Sequence, residues 1–481
     1  MPTTDSSRDT QRSNDAIDAR TTFREILRIT DAYLSQEADL TPKAPLPSTV
    51  AIENLPIAIP AEGVGQDEAT RRLLSVVMAT PTTSGPRFVN QLFAGRDPLA
   101  TGAEMITALL NTSMYTYKAA GPQVLVEREV MERMLRIAGL PGGGGMFAPG
   151  GSMSNLAAMI AGRNETAGLE PGQGFDGRTS TLYMSTEAHY SVRKNAMMIG
   201  LGRDNVRGVA VDDQGRMDPK DLAAQIAKDR ADGFTPLMIV ATSGTTVMGS
   251  FDPIEPLADI AAAEGLWLHV DGAYGGSALM HPEHKKKLAG VERADSFTWD
   301  AHKIMGVPLT CSVALTKDPA LMQRHFDESA DYLFQDQFDL DQGWMNPGTR
   351  SLQCGRRNDA LKLWVIWQAL GDRGFADRVE TQFSLATYAA GLAESHRGMR
   401  LSLEPQWMSV CFEVIGKPSD LICKHLGESG KLKIGHGVVN GRRIIRLVTA
   451  NPDHTTQDID RMFADILETA RGIPDGDNAI R

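Results

Sequence analysis

Leu266-Trp-Leu-His-Val-Asp-Gly-Ala-Tyr-Gly-Gly276 opens on an apolar run that reads as a buried strand, residues 266–270, and closes on a glycine-rich turn. Asp271 falls at the carboxyl end of that strand, where parallel α/β sheets bind their ligands. A carboxylate buried there needs a partner. Two readings follow from the residues: Asp271 caps the turn at Gly272, or it holds a cation. A protonated pyridine nitrogen is one cation that such a carboxylate can hold.

Three other stretches bear on the choice. Ala294-Asp-Ser-Phe-Thr-Trp-Asp-Ala-His-Lys-Ile-Met-Gly306 places Lys303 beside His302, after a second short strand at 296–299. An amine held at a strand end inside a protein loses water, its pKa falls, and it can form a Schiff base with a carbonyl. Phe147-Ala-Pro-Gly-Gly-Ser-Met-Ser-Asn155 is a glycine-rich turn that opens a helical run to Arg163. Free amides at a helix N-terminus, with Ser152 beside them, suit a phosphate. Ser185-Thr-Glu-Ala-His-Tyr-Ser191 offers His189 as a flat ring able to stack on an aromatic cofactor. Each has a plain alternative: a solvated lysine, an ordinary loop, a structural histidine. Together they supply what pyridoxal phosphate (PLP) requires, namely an amine, a ring-nitrogen partner, a phosphate cradle and a stacking ring.

The same features recur with other stretches: NQLFAG (90–95), NTSMYTY (111–117), APGGSMSN (148–155), ATSGTTVMGSFDP (241–253), TWDAHKIMGVPLTCS (298–312), YLFQ (332–335) and QCGRRNDALKLW (353–364). On these residues the chain resembles the PLP-dependent group II amino-acid decarboxylases, the family of glutamate, cysteine sulfinate and aromatic amino-acid decarboxylases. MGVPLTCS and QCGRR lean towards the glutamate/cysteine sulfinate branch.

The resemblance implies an α/β fold of the PLP-dependent transferase type (fold type I). Its large domain has a mostly parallel seven-stranded sheet, preceded by an N-terminal helical arm and followed by a small α+β C-terminal domain. It implies a homodimer in which the N-terminal segment lies across the partner. It also implies catalytic roles for Lys303, which carries the cofactor, for Asp271 at the ring nitrogen and for His189 on the ring. Thr246, Ala273 and His302 match positions around the cofactor, and Ser152 and Met153 match its phosphate end. Gln91, Phe93, Ser113 and Tyr115 match walls of the substrate pocket. Arg446, in RRIIRLVTANPD (442–453), matches an arginine that grips a substrate carboxylate, a task suited to a permanently charged, bidentate guanidinium. Read from the residues alone, Arg446 is a surface strand arginine.

Substrate choice rests on two positions. Glutamate-specific members read Asn-Thr-Asn-Met-Phe where this chain has Ser113 and Tyr115, as cysteine sulfinate members do, while Met114 follows the glutamate branch. The expected reaction is therefore decarboxylation of a short acidic amino acid, aspartate or cysteine sulfinate, with glutamate next. The alternatives on the same fold are an aromatic amino-acid decarboxylase and a decarboxylating, aldehyde-forming enzyme. The second has a specific motive. Family members carry a loop tyrosine thought to protonate the carbanion left by carbon dioxide, whereas residues 335–350 contain none, and Phe338 and Leu340 stand nearest its place. A phenyl ring cannot donate a proton. His302 with a water is the nearest substitute.

Composition bounds the rest. The 481 residues are too many for one simple core, and 42% hydrophobic content is ordinary for a globular chain. A net charge of −11 argues against nucleic acid or an anionic membrane as a partner, but not against an acidic substrate in a locally basic pocket. Four cysteines form neither a disulfide framework nor a zinc-ligand spacing, so no metal is expected. No apolar run is long enough to span a membrane, no signal pattern opens the chain, and the expected compartment is the cytoplasm.

In chain order, residues 1–20 read as a disordered tail and 21–110 as a helical and extended dimerisation segment. Residues 111–355 read as the PLP-binding domain and 356–481 as the small domain. The helical pattern from Thr22 sets Phe23, Ile26, Leu27 and Ile29 mostly on one face. Prolines 42, 45, 47, 56 and 60 forbid a continuous helix through the connector. Strands are expected at 181–184, 206–211, 237–242, 266–270, 296–299 and 312–316, with helices between, which implies a sheet covered on both faces. Residues 332–350 are irregular and match the loop that closes over the active site in the family.

Overall fold

The computed structural model describes residues 19–38, 55–93, 95–170, 173–175, 179–328 and 342–480. Most of the expected tail, part of the proline-rich connector, and residues 329–341 with Phe338 and Leu340 lie outside the described residues. The first helix, Ala19–Ala38, already includes the last two residues of the expected tail.

Seven strands make the larger sheet: β1 (Gly144–Ala148), β2 (Ser180–Ser185), β3 (Val206–Val209), β4 (Thr235–Thr242), β5 (Trp267–Asp271), β6 (Ser296–Asp300) and β7 (Ser312–Thr316). Their order is β1-β7-β6-β5-β4-β2-β3. β3, β2, β4, β5 and β6 run parallel, and β7 runs against both of its neighbours. Central strands such as β4 are buried on both faces, which is why they read as apolar runs rather than as alternating patterns. Helix Ile254–Glu264 crosses from β4 to β5 and stops at Gly265, whose φ of +64° suits glycine.

β1 is not among the expected strands, and its first two residues are glycines, which are poor strand formers. The packing explains the composition. A Cβ on Gly144 would stand 2.6 Å from Pro319 O, and one on Gly145 would stand 2.3 Å from Ala314 O on β7. The glycines permit the close approach of this antiparallel edge strand.

A second, antiparallel sheet has the order β10-β11-β9-β8, from β8 (Met399–Leu401), β9 (Ser409–Val414), β10 (Gly435–Val439) and β11 (Arg442–Val448). Helices Ser419–Glu428 and Thr456–Arg471 pack on it, and the Phe412 and Phe463 rings stack with centroids 5.1 Å apart. Helix Asp359–Ser395 joins the two cores. Its main chain breaks at Gly371 (φ +62°). Leu363, Ile366, Phe375 and Val379 pack into the larger core, whereas Leu385, Ala386 and Ala389 pack into the smaller one. The expected division at residue 356 thus falls just ahead of a helix that serves both. Midway along it, buried Gln382 donates to Ala450 O (2.6 Å) and to Ile304 O (3.3 Å), beside Lys303.

On the N-terminal helix Ile29 is buried, but Phe23 and Leu27 are 51% and 54% exposed, so the expected apolar face is only partly covered within one chain. Helix Pro98–Leu110 likewise leaves Met105, Ile106, Leu109 and Leu110 exposed. Among the described residues no helix is long and apolar enough to cross a membrane.

Arg356, which follows the irregular segment, makes a buried bidentate pair with Glu127 on helix Gln123–Ile137: Nη1 donates to Oε2 at 2.6 Å and Nη2 to Oε1 at 2.5 Å. Removing one partner strands a buried charge. Arg356→Ala is expected to lower stability to urea by about 3–5 kcal/mol, and the Arg356→Leu/Glu127→Leu pair to recover most of that loss.

Candidate functional site

A cavity of about 280 Å³ lies at the carboxyl ends of β4, β5 and β6. One wall is the start of helix Gly151–Ala167. Gly150 enters it with φ +102°, and Met153 and Ser154 close the first turn on Gly150 O. Gly151 and Ser152 line the cavity, and their amides precede the first intrahelical donors. A Cβ on Gly151 would stand 2.6 Å from Asp300 Oδ2, so only glycine brings the helix start this close.

Asp271, 5% exposed at the end of β5, borders the cavity. Its Oδ2 accepts from Asn155 Nδ2 at 2.8 Å and its Oδ1 from the Ala273 amide at 3.1 Å. Lys303, on the short helix Ala301–Ile304 after β6, also borders the cavity, with Nζ 3.4 Å from Asp300 Oδ2. An amine short of water is the expectation at this strand end. The structure instead gives it a carboxylate, itself held by the Ser312 hydroxyl, which in turn accepts from Ser154. Asp300 ends β6 and precedes the short helix that carries Lys303, so the three-residue spacing of Asp-Ala-His-Lys brings the two side chains together.

His189 also lines the cavity. The Ser191 amide donates to its Nδ1 (3.3 Å) and the Ser191 hydroxyl lies 2.7 Å away, so the ring proton sits on Nε2. Burial lowers the His189 pKa, the nearby Asp271 opposes that shift, and the Lys303 charge adds to it. His302 is buried, with Nδ1 2.9 Å from Cys311 O and 3.1 Å from Cys311 N; burial lowers its pKa too.

Thr246, Ala273, His302 and Ser152 therefore meet Lys303, Asp271 and His189 around one cavity. The remaining candidates lie elsewhere. Met153 packs into apolar clusters behind the helix. Leu92 faces the cavity, while its neighbour Gln91 is exposed and Phe93 packs near Phe88, their ring centroids 6.2 Å apart. The Ser113 hydroxyl reaches Cys354 O at 3.5 Å, and the Tyr115 ring lies against Gly348. Arg446 is buried, donating to Thr246 O (2.8 Å) and Asn90 O (2.5 Å), so it braces the wall on which Thr246 stands. Asn155, Asp300, Leu309 and Thr310 line the cavity without having been singled out. All four lie within the stretches APGGSMSN and TWDAHKIMGVPLTCS, and their places on the cavity depend on neighbours distant in sequence.

Among the described residues, one cluster has metal-ligating side chains, His281, His284 and Glu380. It reads as a hydrogen-bonded pair, His284 Nε2 lying 3.0 Å from Glu380 Oε2; burial lowers the His284 pKa, and the Lys287 ammonium lies nearby over the Phe383 ring.

His269, fully buried beneath Asp271, has its pKa pulled down to about 4, chiefly by burial. The unfolded chain binds this proton below about 6.5 and the folded chain only below about 4, so stability falls as pH drops through that window. Urea unfolding of the native chain is expected to lose about 3 kcal/mol more than His269→Gln between those limits, because the amide does not titrate. Parallel pH profiles would contradict this.

The chain matches a model of the pyridoxal-dependent decarboxylase conserved domain over residues 52–415. Cysteine sulfinic acid decarboxylase of Homo sapiens is 38% identical over 434 residues, 86% of this chain and 87% of that protein. Acidic amino acid decarboxylase GADL1 of Mus musculus is 36% identical over 431 residues, 85% of this chain and 78% of that protein. The crystal structure of mouse CSAD superposes with a TM-score of 0.89 at 33% identity, covering 95% of this chain and 99% of that one.

Proposed function

The chain belongs to the pyridoxal-dependent decarboxylase family and is a PLP-dependent amino-acid carboxy-lyase of fold type I; from this premise we propose that it decarboxylates a short acidic amino acid, aspartate or cysteine sulfinate. The carrying observation is the convergence of Lys303, Asp271 and His189 on one cavity. Relatives named for cysteine sulfinic acid and for acidic amino acids support the substrate class. The aromatic and aldehyde-forming alternatives are not favoured; 4-hydroxyphenylacetaldehyde synthase of Rhodiola rosea, at 22% identity and TM-score 0.83, shares the fold alone.

The residues fit the cofactor. A hydrogen-bonded carboxylate, a lysine and a helix start with unshared amides border one cavity. When bound, PLP supplies an aldehyde for the substrate amine and a protonated ring that takes up the electrons of the broken carbon–carboxylate bond. Asp271 holds the proton on the ring nitrogen, because both its oxygens already accept hydrogen bonds that favour the anion. Gly151 and Ser152 receive the phosphate with amides and helix dipole. Lys303 would carry the cofactor, and Asp300 holds its amine beside the cavity. His189 presents a neutral ring with Nε2–H available to the substrate side. Arg446 holds Thr246 in place through its carbonyl.

We further propose a cytoplasmic homodimer. Four free cysteines and the uncovered apolar side chains of helix Pro98–Leu110 support it, as does Leu309, which borders the cavity yet is 49% exposed. Ser113 and Tyr115, off the cavity of their own chain, act on a substrate only if a second copy faces them.

The test is to measure amine and carbon dioxide from aspartate, cysteine sulfinate, glutamate and an aromatic amino acid. The expected kcat/KM is highest for aspartate or cysteine sulfinate, and a higher value for glutamate would overturn the substrate assignment. Lys303→Ala is expected to keep the fold while losing turnover and the visible absorbance of the linked cofactor; retained activity would remove Lys303 from the mechanism.

A further inference from the structure

Beneath Asp271 lies a line of polar groups, enclosed except for the partly buried Trp267 at its far end, that the proposed chemistry does not use directly. Trp267, His269 and Asp271 alternate along β5 and so share one face of the sheet. Ser296 pairs with His269 in register on β6. Helix Gly151–Ala167 lies over that face so closely that a Cβ on Gly162 would stand 2.6 Å from the Trp267 ring, and the same helix carries Asn155.

The distances form one chain. Trp267 Nε1 donates to Ser296 Oγ at 3.0 Å, Ser296 Oγ lies 2.8 Å from His269 Nδ1, and His269 Nε2 lies 3.0 Å from Asn155 Oδ1. Asn155 Nδ2 then donates to Asp271 Oδ2 at 2.8 Å. Its direction follows from the ends. Indole N–H is only a donor, and an ionised carboxylate only an acceptor. Asn155 must turn its nitrogen to Asp271, leaving its oxygen for a proton on His269 Nε2. His269 Nδ1 is then an acceptor, and Ser296 gives it the hydroxyl proton while receiving the indole one. Every group is satisfied. In the opposite direction, starting from a protonated Asp271, the Ser296 proton would have no acceptor within the chain, at a residue with 0% exposure. That direction leaves a buried donor unpaired, which is costly.

We propose that Asn155 and His269 are positioning residues that, with Ser296 and Trp267, form a one-way hydrogen-bond chain keeping Asp271 an anionic acceptor, so that the shared proton stays on the cofactor's ring nitrogen. His269 serves as a permanently neutral link, in keeping with its depressed pKa of about 4. The inference rests on the reading that places the ring nitrogen at Asp271.

The test uses holoenzyme reconstituted with PLP carrying ¹⁵N in its ring, whose resonance distinguishes a protonated from an unprotonated pyridine nitrogen. The unmodified enzyme is expected at the protonated position. Asp271→Asn moves the signal to the unprotonated position; if it does not, the ring placement itself fails and this inference falls with it. With that established, Asn155→Leu shifts the signal the same way with cofactor still bound, and kcat falls by roughly ten-fold with little change in KM. Ser296→Ala gives a smaller shift in the same direction and Ser296→Thr, which restores the hydroxyl, reverses it. This pair decides the matter if Asn155→Leu does not fold. An unchanged nitrogen signal in Asn155→Leu and Ser296→Ala, with only the melting temperature lowered, would show that the chain is structural and overturn the proposal.

Discussion

A carboxylate enclosed at the end of a central parallel strand is the constraint on which the site depends. Asp271 is too buried to be solvated by water, so the protein must supply its hydrogen bonds and its counter-charge. The hydrogen bonds come from Asn155 and from the Ala273 amide. A cation is then the complementary occupant of the cavity. The glycines around it serve the same end, since Gly151 and Gly162 let one helix approach the strand ends closely enough for Asn155 to reach β5.

A second carboxylate divides the work. Asp300 ends β6 as Asp271 ends β5, and each is fed by its own hydroxyl or amide line: Ser154 and Ser312 for one, Asn155 for the other. Adjacent strand ends thus present two anions to one cavity. Lys303 pairs with the first, and the protonated ring is suited to the second. His189 and His302, with pKa values lowered by burial, add ring surface to the cavity without adding charge.

The position of the site also explains why one helix serves two cores. Gln382 ties helix Asp359–Ser395 to Ile304 beside Lys303 and to Ala450 after β11, while Arg446 on β11 reaches the Thr246 carbonyl on the cavity wall. Movement of the smaller sheet relative to the larger would therefore disturb both the lysine and the wall.

The sequence by itself determined most of the architecture. β5 and β7 were legible as short apolar or β-branched runs, and Lys303, Asp271 and His189 stood in stretches whose residue types already suggested cofactor chemistry. Period and side-chain chemistry are local properties, so they survive in the linear text. Tertiary structure alone decided the rest. β1 was hidden because its glycines answer to atoms of β7 and Pro319, far along the chain. Arg446 stands behind the wall because its guanidinium meets two carbonyls brought in from residues 90 and 246. Asn155 and His269 gain their direction only from Trp267 at one end and Asp271 at the other. Donor and acceptor roles belong to pairs of groups rather than to single residues, and those pairs exist only once the chain has folded.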